Sequence, residues 1–179
     1  ASDVYKRQGG ASSALTRGRL AHKLFEVLPS VAEVDRSHVE KLVLASHQDV
    51  PEEEAAALAA EVRVVMAMPE LAPVFSLSAM AEVSVAGAVD GAGVAGQIDR
   101  LLVDETKVIV ADFKTGARPL VTPADYHRQM ALYAALLEQI YPDCEVVTWL
   151  VWTEDRSVEE IDRAARDAAV SYTHLTLPT

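Results

Sequence analysis

The chain has 179 residues, 50% hydrophobic and 24% charged, with a mean hydropathy of +0.12, enough apolar surface for one domain with a sizeable core. No apolar run approaches the roughly 18 residues of a membrane span, and the single cysteine, Cys144, excludes an internal disulfide and a four-cysteine iron–sulfur cluster. The net charge of −11 has the wrong sign for a free-standing nucleic-acid binder.

Residues 1–10 and 170–179 resemble translated sequencing-adaptor read-through and are set aside as non-native tails. Residues 11–169 are then read as one domain, a fragment of a longer protein. The N-terminal segment has no apolar stretch of the signal-peptide kind. Thr16 to Val27 reads as a helix, with Leu20, Leu24, Val27 and Leu28 on one stripe and Pro29 ending it. A second helix is expected from Ser37 to Ser46, with Val39, Leu42 and Val43 on its apolar side. A third runs from Pro51 to about Met68, its three early Glu residues suited to the positive end of the helix dipole. Ala81 to Val89 alternates as a strand with Glu82 at its start, followed by a turn over Asp90-Gly91-Ala92-Gly93. Val94–Val103 and Lys107–Lys114 form a hairpin. Pro123 opens a helix to about Ile140, Glu145–Thr153 is a strand, and Ser157 to Ala169 is a final helix. The acidic excess in Pro51-Glu52-Glu53-Glu54 and in 154–167 suits solvated helix faces. The order is α/β with an N-terminal helical region.

The hairpin carries the chemistry. In an antiparallel pair, opposed residues keep a constant index sum, and a two- or four-residue connection makes that sum odd. A turn at Glu105-Thr106 therefore sets Asp99 opposite Asp112. Strand alternation puts Asp112 and Lys114 on one face and Phe113 on the other. Two facing carboxylates and an ammonium, set among apolar strand residues, require partners or a metal ion, since burying them unpaired is costly. Such a set can hold Mg²⁺ and cleave a phosphodiester. Lys114, Arg118, His127 and Arg128 also make the neighbourhood locally basic.

The segment Gly96-Gln97-Ile98-Asp99-Arg100 … Asp112-Phe113-Lys114-Thr115-Gly116 resembles the PD-(D/E)xK nuclease superfamily. Within it the resemblance is to the RecB-type branch, and most closely to the C-terminal nuclease domain of AddA-type helicase–nucleases. Three further pieces fit. Arg17-Gly18-Arg19-Leu20-Ala21-His22 resembles the helix whose His is a metal ligand. Gln129-Met130-Ala131-Leu132-Tyr133 resembles the Gln-x-x-x-Tyr motif, and Val147–Thr153 the closing strand. The resemblance spans roughly Thr16 to Asp155. It implies a mixed-sheet nuclease core with an antiparallel hairpin and flanking helices. It implies Asp99, Asp112 and Lys114 as catalytic residues, and His22, Asp99, Asp112 and the backbone carbonyl of Phe113 as metal ligands. Gln129 and Tyr133 would contact the DNA backbone or support Lys114, Glu82 would be an accessory acid, and Arg100 would contact phosphate or pair with an acid. An oxygen-rich site with one imidazole suits Mg²⁺, or Mn²⁺, better than Zn²⁺.

On this reading the chain is a Mg²⁺-dependent exonuclease module in double-strand break repair. It would receive single-stranded DNA from a helicase motor beside an AddB-type partner subunit, in a bacterial cytoplasm and away from any membrane. No Gly-x-x-x-x-Gly-Lys-Ser/Thr loop occurs, so no ATP site is expected in this fragment. The rival readings are a catalytically silent nuclease-like domain that binds DNA or a partner, and a stand-alone RecB-like exonuclease. The complete Asp99, Asp112 and Lys114 set argues against the first; the acidic net charge argues against the second.

Overall fold

The computed structural model describes the backbone of residues 2–171 and, within it, the side chains of residues 14–169. The tail expectations for residue 1 and for 172–179, and the side chains of 2–13, lie outside what is described. The chain divides into two units, Ala1–Leu77 and Ser78–Thr179.

The first unit is helical: α1 (Ser2–Val27), α2 (Glu33–Ala45) and α3 (Glu52–Met66), with 3-10 turns at Leu28–Ser30 and Pro69–Leu71. Leu20, Leu24, Phe25, Leu58, Val62, Val65 and Leu71 are buried, and the Phe25 and Phe75 rings stack at 5.9 Å. Arg17 bridges to Glu61 at 2.6 Å, and Arg63 to Glu40 at 2.5 Å. Two expectations need correcting. The second helix begins four residues earlier than Ser37, and Leu42, assigned to its apolar side, is exposed while Val43 is buried.

The second unit is a five-stranded mixed sheet in the order β1-β2-β3-β4-β5, with β1 Met80–Val89, β2 Ala92–Val103, β3 Lys107–Lys114, β4 Glu145–Trp152 and β5 Ser157–Glu160. Helix α4 (Ala124–Ile140) joins β3 to β4, which run parallel, and α5 (Arg163–Ser171) follows β5. The β1–β2 turn is shorter than expected. Asp90 and Gly91 both have positive φ (50° and 79°) and Val89 pairs with Ala92, the two-residue turn that an Asp-Gly pair favours. Between β2 and β3, Arg100 faces Ala111, Leu101 Val110, Leu102 Ile109 and Val103 Val108. The Asp104 N–H donates to the Lys107 carbonyl at 2.8 Å. This is the odd-sum register expected from the sequence, and the paired ladder runs as far as Arg100 and Ala111.

β3, the central strand of the sheet, is buried from Val108 to Phe113. The core gathers Ile98, Leu101, Val108, Val110, Val146 and Leu150 of the sheet under Met130, Tyr133, Ala134 and Leu137 of α4. Among the described residues no helix is long and apolar enough to cross a membrane.

The largest correction is at 157–160, expected as the start of a helix. It is the edge strand β5, antiparallel to β4, with Val158 opposite Val151. Its own pattern has one apolar residue, and its pairing is dictated by β4. Glu159 is correspondingly not on a solvated helix face. Its carboxylate accepts from the Trp152 indole N–H at 3.0 Å and the Thr122 hydroxyl at 2.8 Å, and lies 3.3 Å from the Arg118 guanidinium. His127 is 4.0 Å away. Burial disfavours the charged form of Glu159, but the hydrogen bonds from Thr122 and Trp152 and the charges of Arg118 and His127 outweigh it, so its pKa lies below the usual glutamate value.

A depressed folded-state pKa contributes stability that is present above the unfolded value and lost as pH falls through the folded one. Thermal melts should therefore show the wild type losing stability below about pH 4.5, more steeply than Glu159→Gln, which has no charge to lose. Parallel pH profiles for the two proteins would contradict this.

Candidate active site at the end of the central strand

The Asp-x-Lys pair ends β3, where Asp112 pairs with Leu150 and Lys114 with Trp152 of β4. Asp112 is 3% exposed. A carboxylate so placed needs close partners: Lys114 Nζ lies 2.6 Å from its Oδ2, and the Gln129 amide donates to its Oδ1 at 3.1 Å. Lys114 and Asp112 thus share a sheet face, as strand alternation requires. The same ammonium donates to the Gln129 Oε1 at 3.2 Å and sits 4.0 Å over the ring of Tyr126, a cation–π contact. The Tyr126 ring in turn packs on Trp152, centroids 6.0 Å apart.

Gln129 and Tyr133 lie one turn apart on α4 and act together. The Gln129 amide donates to the Tyr133 hydroxyl oxygen at 3.2 Å, and that hydroxyl donates to the Gln97 carbonyl at 2.8 Å. These bonds admit one orientation of the amide, with its oxygen toward the ammonium and its nitrogen toward the carboxylate and the phenol. A single glutamine therefore fixes the acid, the base and the helix that covers them.

Asp99 is 9% exposed. Its Oδ2 accepts the Phe113 N–H at 2.7 Å, the peptide between Asp112 and Lys114, so the carboxylate bonds β3 one step past the last β2–β3 pair, Arg100 and Ala111. A carboxylate oxygen of Glu82 lies within 4.8 Å of one of Asp99. Glu82 was expected at the strand start; it is the third residue of β1 and has φ +52°. A left-handed conformation at a non-glycine residue costs on the order of 1–3 kcal/mol and tends to occur at functional sites. Sequence patterning contains no signal for that strain.

The remaining expected residues are placed as follows. Arg100 is 1% exposed, and burial lowers its pKa from the usual arginine value. The guanidinium is thus enclosed by the folded sheet. His22 lies half-buried on α1 in the first unit. Arg118 and His127 face Glu159, and Arg128 pairs with Asp125 at 2.9 Å, so the local basic cluster is largely matched by acids. What sequence reasoning missed is Glu159 and Tyr126; the indole and the ammonium they support were visible, but the strand that brings them together was not.

Chemically, the site offers two carboxylates flanking one peptide, a third nearby, and an ammonium held by a carboxylate, an amide and an aromatic face, with 18% of the Lys114 side chain exposed.

Comparison with known proteins places this geometry. The model of the PD-(D/E)XK nuclease superfamily matches residues 4–172. No curated protein sequence is significantly similar. Among solved structures, SSO0001 is 15% identical, with 89% of this chain and 76% of that one covered and a TM-score of 0.39. VC1899 from Vibrio cholerae is 12% identical, with 92% and 53% covered and a TM-score of 0.32; the chain spans about half of that protein's length. Likenesses this distant carry no argument about function. The family match, running through both units and across the Asp99, Asp112 and Lys114 segment, does: the chain belongs to the PD-(D/E)XK nuclease superfamily.

Proposed function

We propose that this nuclease is a divalent-metal-dependent deoxyribonuclease, the nuclease module of an AddA-type helicase–nuclease that degrades single strands at double-strand breaks. The observation that carries the metal-dependent reading is the pairing of Asp112 with Lys114 through Gln129, beside an Asp99 carboxylate bonded to the intervening peptide. Neither a packing role nor simple binding needs that arrangement of buried charge.

The residues fit a hard cation. Asp99 and Glu82 bring carboxylate oxygens within 4.8 Å of each other, a repulsion that a cation relieves. All-oxygen donor sets suit Mg²⁺ or Mn²⁺. Asp99, Asp112 and the Phe113 carbonyl would hold the ion, with Glu82 as accessory acid and His22 as the imidazole ligand that its helix motif implies. When bound, such an ion activates water and neutralises phosphate charge. The chain's own residues do the rest. Lys114 presents a fixed cation toward developing negative charge, Gln129 holds it in line, and Tyr126 limits its swing. Hydrolysis proceeds without a covalent enzyme intermediate, since no nucleophilic side chain is called for.

The AddA setting is supported by the order of the His, Asp, Asp-x-Lys, Gln-x-x-x-Tyr and closing-strand motifs, and by the net charge of −11, which suits a module fed by a motor and an AddB-type partner in the bacterial cytoplasm. Helicase motifs in the gene upstream of Ala11 would support that setting; a start codon there without them would count against it.

Two substitutions test the chemistry. Asp112→Ala should abolish Mg²⁺-dependent cleavage of single-stranded DNA while circular dichroism stays native; cleavage near wild type in a folded variant would overturn the assignment. Lys114→Ala should lower kcat by about 10²-fold or more with little change in DNA affinity, because the ammonium acts mainly in the transition state. If the affinity loss matches the whole rate loss, the site binds rather than cleaves.

A further inference from the structure

Gly96 opens the Gly-Gln-Ile-Asp-Arg motif, yet the backbone gives no reason for glycine there. It pairs with Val85 in regular antiparallel ladder, and among the described residues the positive-φ glycine is Gly91. Glycine inside a strand weakens it, and often marks a place where another group must come close. The group here is Tyr133. A Cβ on Gly96 would lie 2.6 Å from its Cε1, 2.7 Å from its hydroxyl oxygen and 3.1 Å from its Cζ. The ring is 6% exposed and belongs to the core with Met130 and Leu137, so it has little freedom to retreat.

We propose that Gly96 is a positioning residue: its missing side chain seats the Tyr133 hydroxyl between the Gln97 carbonyl and Gln129, and through Gln129 holds Asp112 and Lys114 in line. The inference rests on the nuclease reading above and deepens it. The hydroxyl is the one atom joining α4 to β2 in this network, donating at 2.8 Å to Gln97 and accepting at 3.2 Å from Gln129. An alanine at 96 displaces the ring edge and that atom with it. Gln129 then loses the bond that orients it, and with it the fixed order of its contacts to Lys114 and Asp112.

Gly87 supplies an internal control. A Cβ there would meet Leu136 Cδ2 at 2.7 Å, under the same helix, with no hydrogen-bonded link to the acidic residues. Gly87→Ala should cost stability and leave kcat unchanged.

The test uses the whole chain with Mg²⁺ and a single-stranded oligonucleotide. Gly96→Ala should lower kcat by about tenfold or more with KM nearly unchanged, and Tyr133→Phe should do the same. In a double-mutant cycle the two losses should not multiply, since the phenylalanine background has no hydroxyl left to displace. Losses that multiply, or a Gly96→Ala enzyme with wild-type kcat, overturn the proposal. If Gly96→Ala does not fold, Gly96→Ala/Tyr133→Leu, which clears the ring atoms, must restore folding; failure to do so means that the Cβ meets something other than Tyr133 and is equally fatal. NMR of labelled tyrosine rings and Gln side chains separates this inference from the functional reading. The Tyr133 and Gln129 signals should move in Gly96→Ala and stay in place in Gly87→Ala whether or not the wild type cleaves DNA, and unmoved signals in Gly96→Ala overturn the seating. A wild type inactive on this substrate strikes the nuclease reading alone.

Discussion

The parity of one turn governs the site. With two residues between Asp104 and Lys107, the β2–β3 register keeps its odd sum up to Arg100 and Ala111, and the Asp99 carboxylate reaches the Phe113 N–H just beyond. One residue more or fewer would shift β2 by a step and carry every side chain to the other face. Asp99 would then lose the Phe113 N–H, and Leu101 would leave the core it shares with α4. The apolar pattern of the strands and the chemistry of the carboxylates therefore select the same register. A sequence that satisfies one satisfies the other, which is how a site made of buried charge can be specified without ambiguity.

Holding that charge is the second problem, and it is solved by connectivity. Asp112 and Lys114 neutralise each other, Gln129 ties both to α4, and Tyr133 ties α4 to β2. Tyr126 and Trp152 carry the ammonium's apolar side to Glu159 on β5. Removing one member of such a network leaves a buried polar atom exposed to an apolar setting, so losses are larger than any single bond suggests. The positive φ of Glu82 is the opposite kind of feature, a local cost that the surrounding β1–β2 ladder sustains.

Much of this was legible in the sequence because it follows from period and parity. Strand alternation gave the shared face of Asp112 and Lys114, and the even connection gave the hairpin register. The i, i+4 spacing gave the Gln129–Tyr133 pair. What was illegible depends on neighbours distant in the chain. β5 has one apolar residue and takes its strand state from β4, so Ser157-Val158-Glu159-Glu160 read as helix. Glu159 looked solvated because its partners, Thr122, Trp152 and Arg118, come from a loop and strand that no local pattern connects to it. The burial of Arg100 is a property of the folded sheet that no local pattern announces. Leu42 looked like core because helical periodicity names a face without saying whether anything covers it.

The central claim is that Asp99 and Asp112 together hold a divalent cation. Crystals grown with Mn²⁺ and measured at the manganese edge test it most directly. The account predicts an anomalous peak bonded to carboxylate oxygens of both Asp99 and Asp112, and its loss in Asp112→Asn. A peak held by other residues, or none at these carboxylates when Mn²⁺ is saturating, would contradict it.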